Sequence, residues 1–110
     1  MAATVNLFLD QGSSFSSTIT VKGTTGNPLD LTGYTAYAQM RKSYYSSTAY
    51  NFTVSVTGST GQISLAMSAT ATAALSPGRY VYDVEIHNES EVTRIVEGIV
   101  EVDPEVTKIP

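Results

Sequence analysis

A Pro-Gly turn that leads directly into an alternating strand is the feature of this sequence that most constrains its fold. After Pro77-Gly78, every second residue is aromatic or aliphatic, in the order Tyr80, Tyr82, Val84 and Ile86. Period-two alternation of this kind is typical of a strand with one buried and one exposed face. The pattern predicts a strand over 79–87, placed second to last in a β-sandwich.

Similar alternating runs recur along the chain with turn residues between them. They cover 4–9, 15–21, 34–41, 52–56, 63–67 and 92–102. The last run has apolar residues on both sides, which predicts a bulge near Gly98. Helical character is confined to 68–75, where Ser68 is suited to cap one or two alanine-rich turns. We therefore expect an all-β fold, an immunoglobulin-like antiparallel β-sandwich of about seven strands with one short helical turn.

Length and composition bound the organisation of the chain. With 110 residues there is room for one domain, which we predict over 1–103, followed by an extended, proline-bracketed C-terminal arm over 104–110. The glycine- and asparagine-rich loop at 22–28 is predicted to be exposed and mobile. With no cysteine and no leader-like N-terminus, we expect synthesis in a cytoplasm without disulfides.

Charge and hydropathy argue against two classes of partner. The net charge is −4, and Arg41-Lys42 is the one pair of adjacent basic residues, whereas a phosphate-tracking surface needs clustered cations. The longest uncharged runs contain Ser, Thr and Gly throughout and are unsuited to cross a membrane. We therefore predict binding to neither nucleic acid nor membrane.

Residues 78–82 are similar to the tyrosine corner of immunoglobulin-type domains, although the chain has neither tryptophan nor cysteine. In a tyrosine corner, a tyrosine hydroxyl near the start of the penultimate strand bonds to the backbone a few residues upstream. We expect the ring of Tyr80 to fill the core and its hydroxyl to satisfy a backbone group.

Residue types needed for catalysis are sparse, so no enzymatic activity, catalytic residue, metal or cofactor is predicted. The one histidine, His87, is interpreted as a solvated residue at a turn rather than a general base. Two carboxylates, Asp83 and Glu85, alternate on one strand, and three more lie on the next strand: Glu97, Glu101 and Asp103. Together they could bind a hard cation or act as a carboxylate pair. The alternative is an outward polar face on which Arg94 pairs with an acid across the strands.

The segment 41–50 differs from the alternating runs because it concentrates tyrosine and serine beside two bases. Large rigid rings next to small hydroxyl side chains are typical of protein-binding loops. We predict a partner-binding site formed by Arg41, Lys42, Tyr44, Tyr45 and Tyr50. The alternative is that one or two of these rings fold back onto the edge of the sandwich.

Five blocks of the sequence together resemble small structural proteins of tailed bacteriophages, including the N-terminal domains of baseplate upper proteins. The blocks are 8–15, 29–36, 39–42, 78–84 and 96–100. The resemblance implies a virion protein that forms a homo-oligomer or another multicopy assembly. Its partners would be other virion structural proteins of the tail, baseplate, neck or capsid, with the C-terminal arm reaching a neighbouring subunit. A carbohydrate- or host-surface-binding module that uses the Tyr44–Tyr50 loop is the alternative.

Overall fold

The computed structural model describes residues 3–22, 26 and 30–106, which contain nine strands and one short α-helix. The strands are β1 (Ala3–Thr4), β2 (Leu7–Asp10), β3 (Phe15–Thr20), β4 (Thr35–Arg41), β5 (Tyr50–Asn51), β6 (Thr53–Thr57), β7 (Gln62–Met67), β8 (Gly78–His87) and β9 (Val92–Asp103). The helix α1 (Ala69–Ala73) lies between β7 and β8. The predicted all-β class is confirmed, and so is the position of the helical turn before the penultimate strand.

The strands form two sheets. The larger has the order β1-β9-β8-β4-β5, with β2 also paired to β9, and the smaller has the order β3-β7-β6. The series β9-β8-β4-β5 and β3-β7-β6 follow the G-F-C-C′ and B-E-D orders of immunoglobulin-type sandwiches. Apolar residues on the inner faces of both sheets form one buried core, in which Met40, Ile63, Leu65, Val84 and Val100 have no exposed surface.

The expectation of a wholly antiparallel fold is wrong for the first strands of the chain. Both β1 and β2 run parallel to β9, with Leu7 opposite Val100 and Leu9 opposite Val102. Alternation places Leu7 and Leu9 toward the core whichever way the neighbouring strand runs, so the pattern at 4–9 carried no information on direction. The predicted single strand is also divided in two at residues 5 and 6, although β1 and β2 keep one register along the same edge of β9.

Gly98 explains how residues 5 and 6, between β1 and β2, come so close to β9. A Cβ atom at Gly98 would clash with the carbonyl oxygen of Val5, so a side chain here would push this segment away from β9. The bulge predicted near Gly98 is misplaced, since Gly98 pairs in register with Tyr82. The register shifts instead between Val84 and Glu85, where Ile95 is the extra residue on β9.

The helical turn is tied to the turn that follows β2. Ser68 accepts a hydrogen bond from the Ala71 amide at 3.1 Å, which confirms the predicted cap. The hydroxyl of Thr72, which is fully buried, donates to the Ser13 carbonyl at 2.8 Å and accepts from the Gly12 amide at 3.1 Å. These bonds close one end of the sandwich.

Two predicted segments fall largely outside the described residues. Of the loop 22–28, residues 23–25 and 27–28 are not described, and of the C-terminal arm, residues 107–110 are not described. Where the arm is described, the Glu105 amide donates to the side-chain oxygen of Gln11 at 3.0 Å. The arm therefore begins against its own sandwich, and its reach to a neighbouring subunit stays a prediction.

Candidate binding groove and tyrosine loop

The outer face of the larger sheet carries polar and aromatic side chains in cross-strand rows. Antiparallel pairing of β4, β8 and β9 sets Tyr37 beside Glu85 and Arg94, and Gln39 beside Asp83 and Glu97. Side chains that alternate along each strand thus become neighbours across strands. This register brings Tyr37 and Gln39, which sequence reasoning had not singled out, onto the same surface as the predicted carboxylates.

Arg94 lies between two of these carboxylates. Its Nε is 3.2 Å from Asp83 Oδ2, and its Nη1 is 3.4 Å from Glu97 Oε1. The predicted cross-strand pairing of Arg94 with an acid is therefore confirmed. The other two acids lie elsewhere on β9, since Glu101 is opposite Arg79 and Asp103 is opposite Asp10. Within the described part of the chain, no group of three or more His, Cys, Asp or Glu side chains is arranged to hold a metal ion.

The environment of Asp83 raises the pKa of its carboxyl above the usual value. Partial burial is the main cause that raises the pKa of this carboxyl, and the negative charges of Glu85 and Glu97 raise it further. Arg94 and Arg41 oppose the shift.

His87 lies at the strand end beside the turn at Asn88, as predicted, and its side chain is 35% exposed. It is the last residue of β8, and its ring meets that of Tyr37 edge-on with centroids 4.7 Å apart. Its Nε2 is 3.2 Å from Glu85 Oε1. These contacts fix the ring of Tyr37, which nevertheless leaves 54% of its surface exposed.

The segment after β4 exposes two of the predicted partner-binding residues. Tyr44 is 75% exposed and Tyr45 is 97% exposed. The loop is held by Arg41, whose Nη1 donates to the Ser46 carbonyl at 2.6 Å and whose Nη2 donates to Gln39 Oε1 at 3.3 Å. Arg41 thus links the loop to the outer face of the sheet.

Lys42 and Tyr50 face the sandwich and contact the same core residue. The ammonium of Lys42 lies 4.4 Å from the ring centroid of Tyr80, in a cation–π contact. Tyr50 meets the ring of Tyr80 edge-on at 6.0 Å. Tyr50 is thus the ring of the segment that folds back, as the alternative interpretation allowed, while Tyr44 and Tyr45 remain outside. Partner binding by the five residues stays a prediction.

A groove with a volume of about 570 Å³ runs over this outer face. Tyr37 and Tyr44 contribute to its walls, and Gln39, Asp83, Glu97 and Arg94 are among the residues that line it. Alternation along 34–41 indicates which side chains face outward. It does not show which acidic residues lie beside them, because that depends on the register between strands. We call this feature the outer-face groove.

Comparison with known proteins supports the fold. No family model matches the chain, and no curated protein matches it. Among solved structures, Listeria monocytogenes InlP is similar over 93% of this chain and 28% of its own, with 16% identity and a TM-score of 0.51. A family 123 glycoside hydrolase from Clostridium perfringens is similar over 94% of this chain and 23% of its own, with 12% identity and a TM-score of 0.43, too low to carry an argument. The chain spans about a quarter of the length of these two proteins. The likeness to InlP is evidence of a shared β-sandwich fold alone.

Proposed function

We propose that this chain is a non-enzymatic structural protein of a tailed-phage virion, acting as an assembly or attachment module on the tail, baseplate, neck or capsid. The observation that carries the proposal is the loop at 42–49, which presents Tyr44 and Tyr45 almost fully to solvent. Exposed neighbouring rings are a feature of protein interfaces, where burial of an aromatic side chain supplies much of the binding energy. The block resemblance to phage structural proteins gives the class of partner.

The anchoring of the loop supports a role in recognition. Arg41 holds the Ser46 carbonyl, and the Ser46 amide donates to the Ser43 carbonyl at 3.1 Å. A loop fixed by such bonds loses less conformational entropy when it binds than a free segment does. The two rings are therefore presented from a partly organised support, as an attachment surface requires.

The test is to measure the mass of the purified protein by light scattering, first alone and then mixed with disassembled particles of the virus that encodes it. We expect a defined oligomer or a complex with one virion protein. A protein that stays monomeric and associates with no virion component would contradict the proposal.

Two variants locate the contact. Tyr45→Ala removes the most exposed ring of the loop and should weaken the complex at least tenfold, about 1.4 kcal/mol. Phe8→Ala is the matched control, because Phe8 is an aromatic residue 67% exposed on β2, outside the loop. Equal binding by both variants and the wild type would place the contact elsewhere on the sandwich.

A further inference from the structure

The outer-face groove has the make-up of a small-molecule site, and the proposed assembly role makes no use of most of it. Its volume of about 570 Å³ lies within the range of roughly 300 to 1,000 Å³ that is common for ligand sites. Its floor is the rigid central part of the larger sheet, where β8 is paired on both sides. Functional groups on paired strands are held more firmly than groups on loops.

The charges that line the groove nearly balance. Asp83, Glu85 and Glu97 contribute three carboxyl groups, against the two guanidinium groups of Arg41 and Arg94. Arg94 already lies against two of the acids. A fully charged ligand would have to break these pairs and would meet little net opposite charge in return.

A neutral ligand with several hydroxyl groups fits this lining better. Each hydroxyl both donates and accepts, so it can donate to the carboxylates and accept from guanidinium or amide groups. Gln39 adds an amide whose Nε2 is held by Asn51 Oδ1 at 2.8 Å and whose Oε1 accepts from Arg41. The polar groups are thus oriented before a ligand arrives, which reduces the entropy lost on binding.

The aromatic residues supply the apolar part. The ring of Tyr37, fixed edge-on by His87, and the ring of Tyr44 both line the groove and both remain more than half exposed. An exposed ring offers a flat apolar surface against which the C–H face of a sugar can pack, while the phenol oxygen stays in water. Tyr45 does not line the groove, although it is the neighbour of Tyr44.

We infer that the outer-face groove binds a neutral saccharide, with Tyr37 and Tyr44 against the sugar ring and Gln39, Asp83 and Arg94 bonded to its hydroxyl groups. The inference goes beyond the proposed assembly function and does not depend on it. It places sugar contact on the face of β4, β8 and β9, and gives Tyr45 and Tyr50 no part in it.

The test is an NMR titration of isotope-labelled protein with glucose, galactose, N-acetylglucosamine and rhamnose, one at a time. At least one sugar should give saturable shifts centred on the Gln39 side-chain amide and on the amides of β4 and β8. Lysine amide and acetate are the charged probes, and neither should give saturable shifts at these positions. Saturable binding of a charged probe without that of a sugar, or shifts of equal size across the whole surface, would overturn the inference.

Variants then separate this site from the assembly surface. Tyr37→Ala and Asp83→Asn should each weaken sugar binding about tenfold, which corresponds to about 1.4 kcal/mol. Both should leave virion-protein association unchanged. Tyr45→Ala should do the reverse and bind the sugar as the wild type does. A thermal melt of each variant checks its fold, and unchanged sugar binding by well-folded Tyr37→Ala and Asp83→Asn would refute the site.

Discussion

Two pairs of tyrosines in this protein have the same side-chain chemistry and opposite environments. Tyr80 and Tyr82 are 1% and 4% exposed in the core, whereas Tyr44 and Tyr45 are 75% and 97% exposed in a loop. Each core hydroxyl bonds a carbonyl, Tyr80 to Ser76 at 2.7 Å and Tyr82 to Val5 at 2.6 Å. A buried tyrosine is stable only when its polar end is satisfied in this way, and an exposed one has water instead. The position of a tyrosine, in an alternating strand or in a loop, decides whether its ring is buried or exposed.

The core pair also ties distant parts of the chain together. Tyr80 completes the predicted tyrosine corner by bonding to the backbone upstream of its own strand. Tyr82 instead reaches the carbonyl of Val5, between β1 and β2. In the part of the chain that the structure describes, Tyr44 and Tyr45 make no comparable hydrogen bond. The difference predicts that changes to the first pair alter stability and changes to the second alter binding alone.

The largest effect should come from Tyr80→Ala. Loss of a buried aromatic side chain costs about 3 to 5 kcal/mol, which is a large part of the 5 to 15 kcal/mol that typically stabilises a domain. Urea unfolding followed by circular dichroism measures the change. Tyr80→Phe keeps the ring, loses the bond to Ser76, and should cost only about 1 kcal/mol. A Tyr80→Ala protein as stable as the wild type would mean that the corner is not a structural element.

The next effect is an alkaline loss of stability that belongs to Tyr82. Burial raises the pKa of Tyr82 to about 12 from its usual value of 10.0. The native state thus keeps a proton that the unfolded state loses, so stability is full below pH 10.0 and falls as pH rises toward 12. One such shift corresponds to about 2 to 3 kcal/mol.

Comparison of the wild type with Tyr82→Phe isolates this contribution. The variant should start about 1 kcal/mol less stable near neutral pH, because the Val5 carbonyl loses its donor. It should then lose less stability than the wild type between pH 10 and 12, as measured by urea unfolding at several pH values. Parallel pH profiles for the two proteins would contradict the assignment.

Gly98→Ala tests the same contact region from β9, the strand on which Gly98 lies opposite Tyr82. The added methyl group would clash with the Val5 carbonyl, which accepts the Tyr82 bond. We expect a loss of about 1 to 2 kcal/mol, since the carbonyl of Val5 is a backbone group and cannot swing aside as a flexible side chain could. Thr93→Ala, at an exposed position of β9, is the control and should change stability little. Equal melting temperatures for Gly98→Ala and the wild type would show that the Val5 carbonyl can move away from β9.

The smallest effect on stability should be that of Tyr44→Ala combined with Tyr45→Ala. Exposed loop substitutions usually stay within about 0.5 kcal/mol each, so the melting temperature should hardly change. A loss comparable to that of Tyr80→Ala would erase the distinction between the two pairs and identify the loop rings as part of the folded core.

Sequence alone predicted the parts of this fold that rest on local patterns. Alternation at 79–87, the cap at Ser68 and the corner at Tyr80 each depend on a few neighbouring residues, and each is confirmed. The direction of β1 and β2 and the site of the bulge depend on contacts between segments far apart in the chain. Period-two alternation is the same for both directions, so it could not show the parallel pairing.

The groove could not be predicted from the sequence for the same reason. The acids Asp83 and Glu97 were recognised as outward residues, and so was the pairing of Arg94. Tyr37 and Gln39 were read as part of a strand, because their meeting with those acids depends on the register of β4 against β8. The sequence likewise placed Tyr50 with its neighbours in the loop, whereas its packing on Tyr80 follows from how β5 joins the sheet.

The parallel pairing of β2 with β9 has a consequence for the protein during its synthesis. The amide of Ile99 donates to the side chain of Asn6, a partner 93 positions earlier. While the ribosome is still making the chain, β2 has already emerged and has no strand to pair with. The sandwich can close only after β9 has left the exit tunnel, so the native state forms late and from the most distant contacts. During that interval the backbone N–H and C=O groups of β2 that later pair with β9 are without their partners.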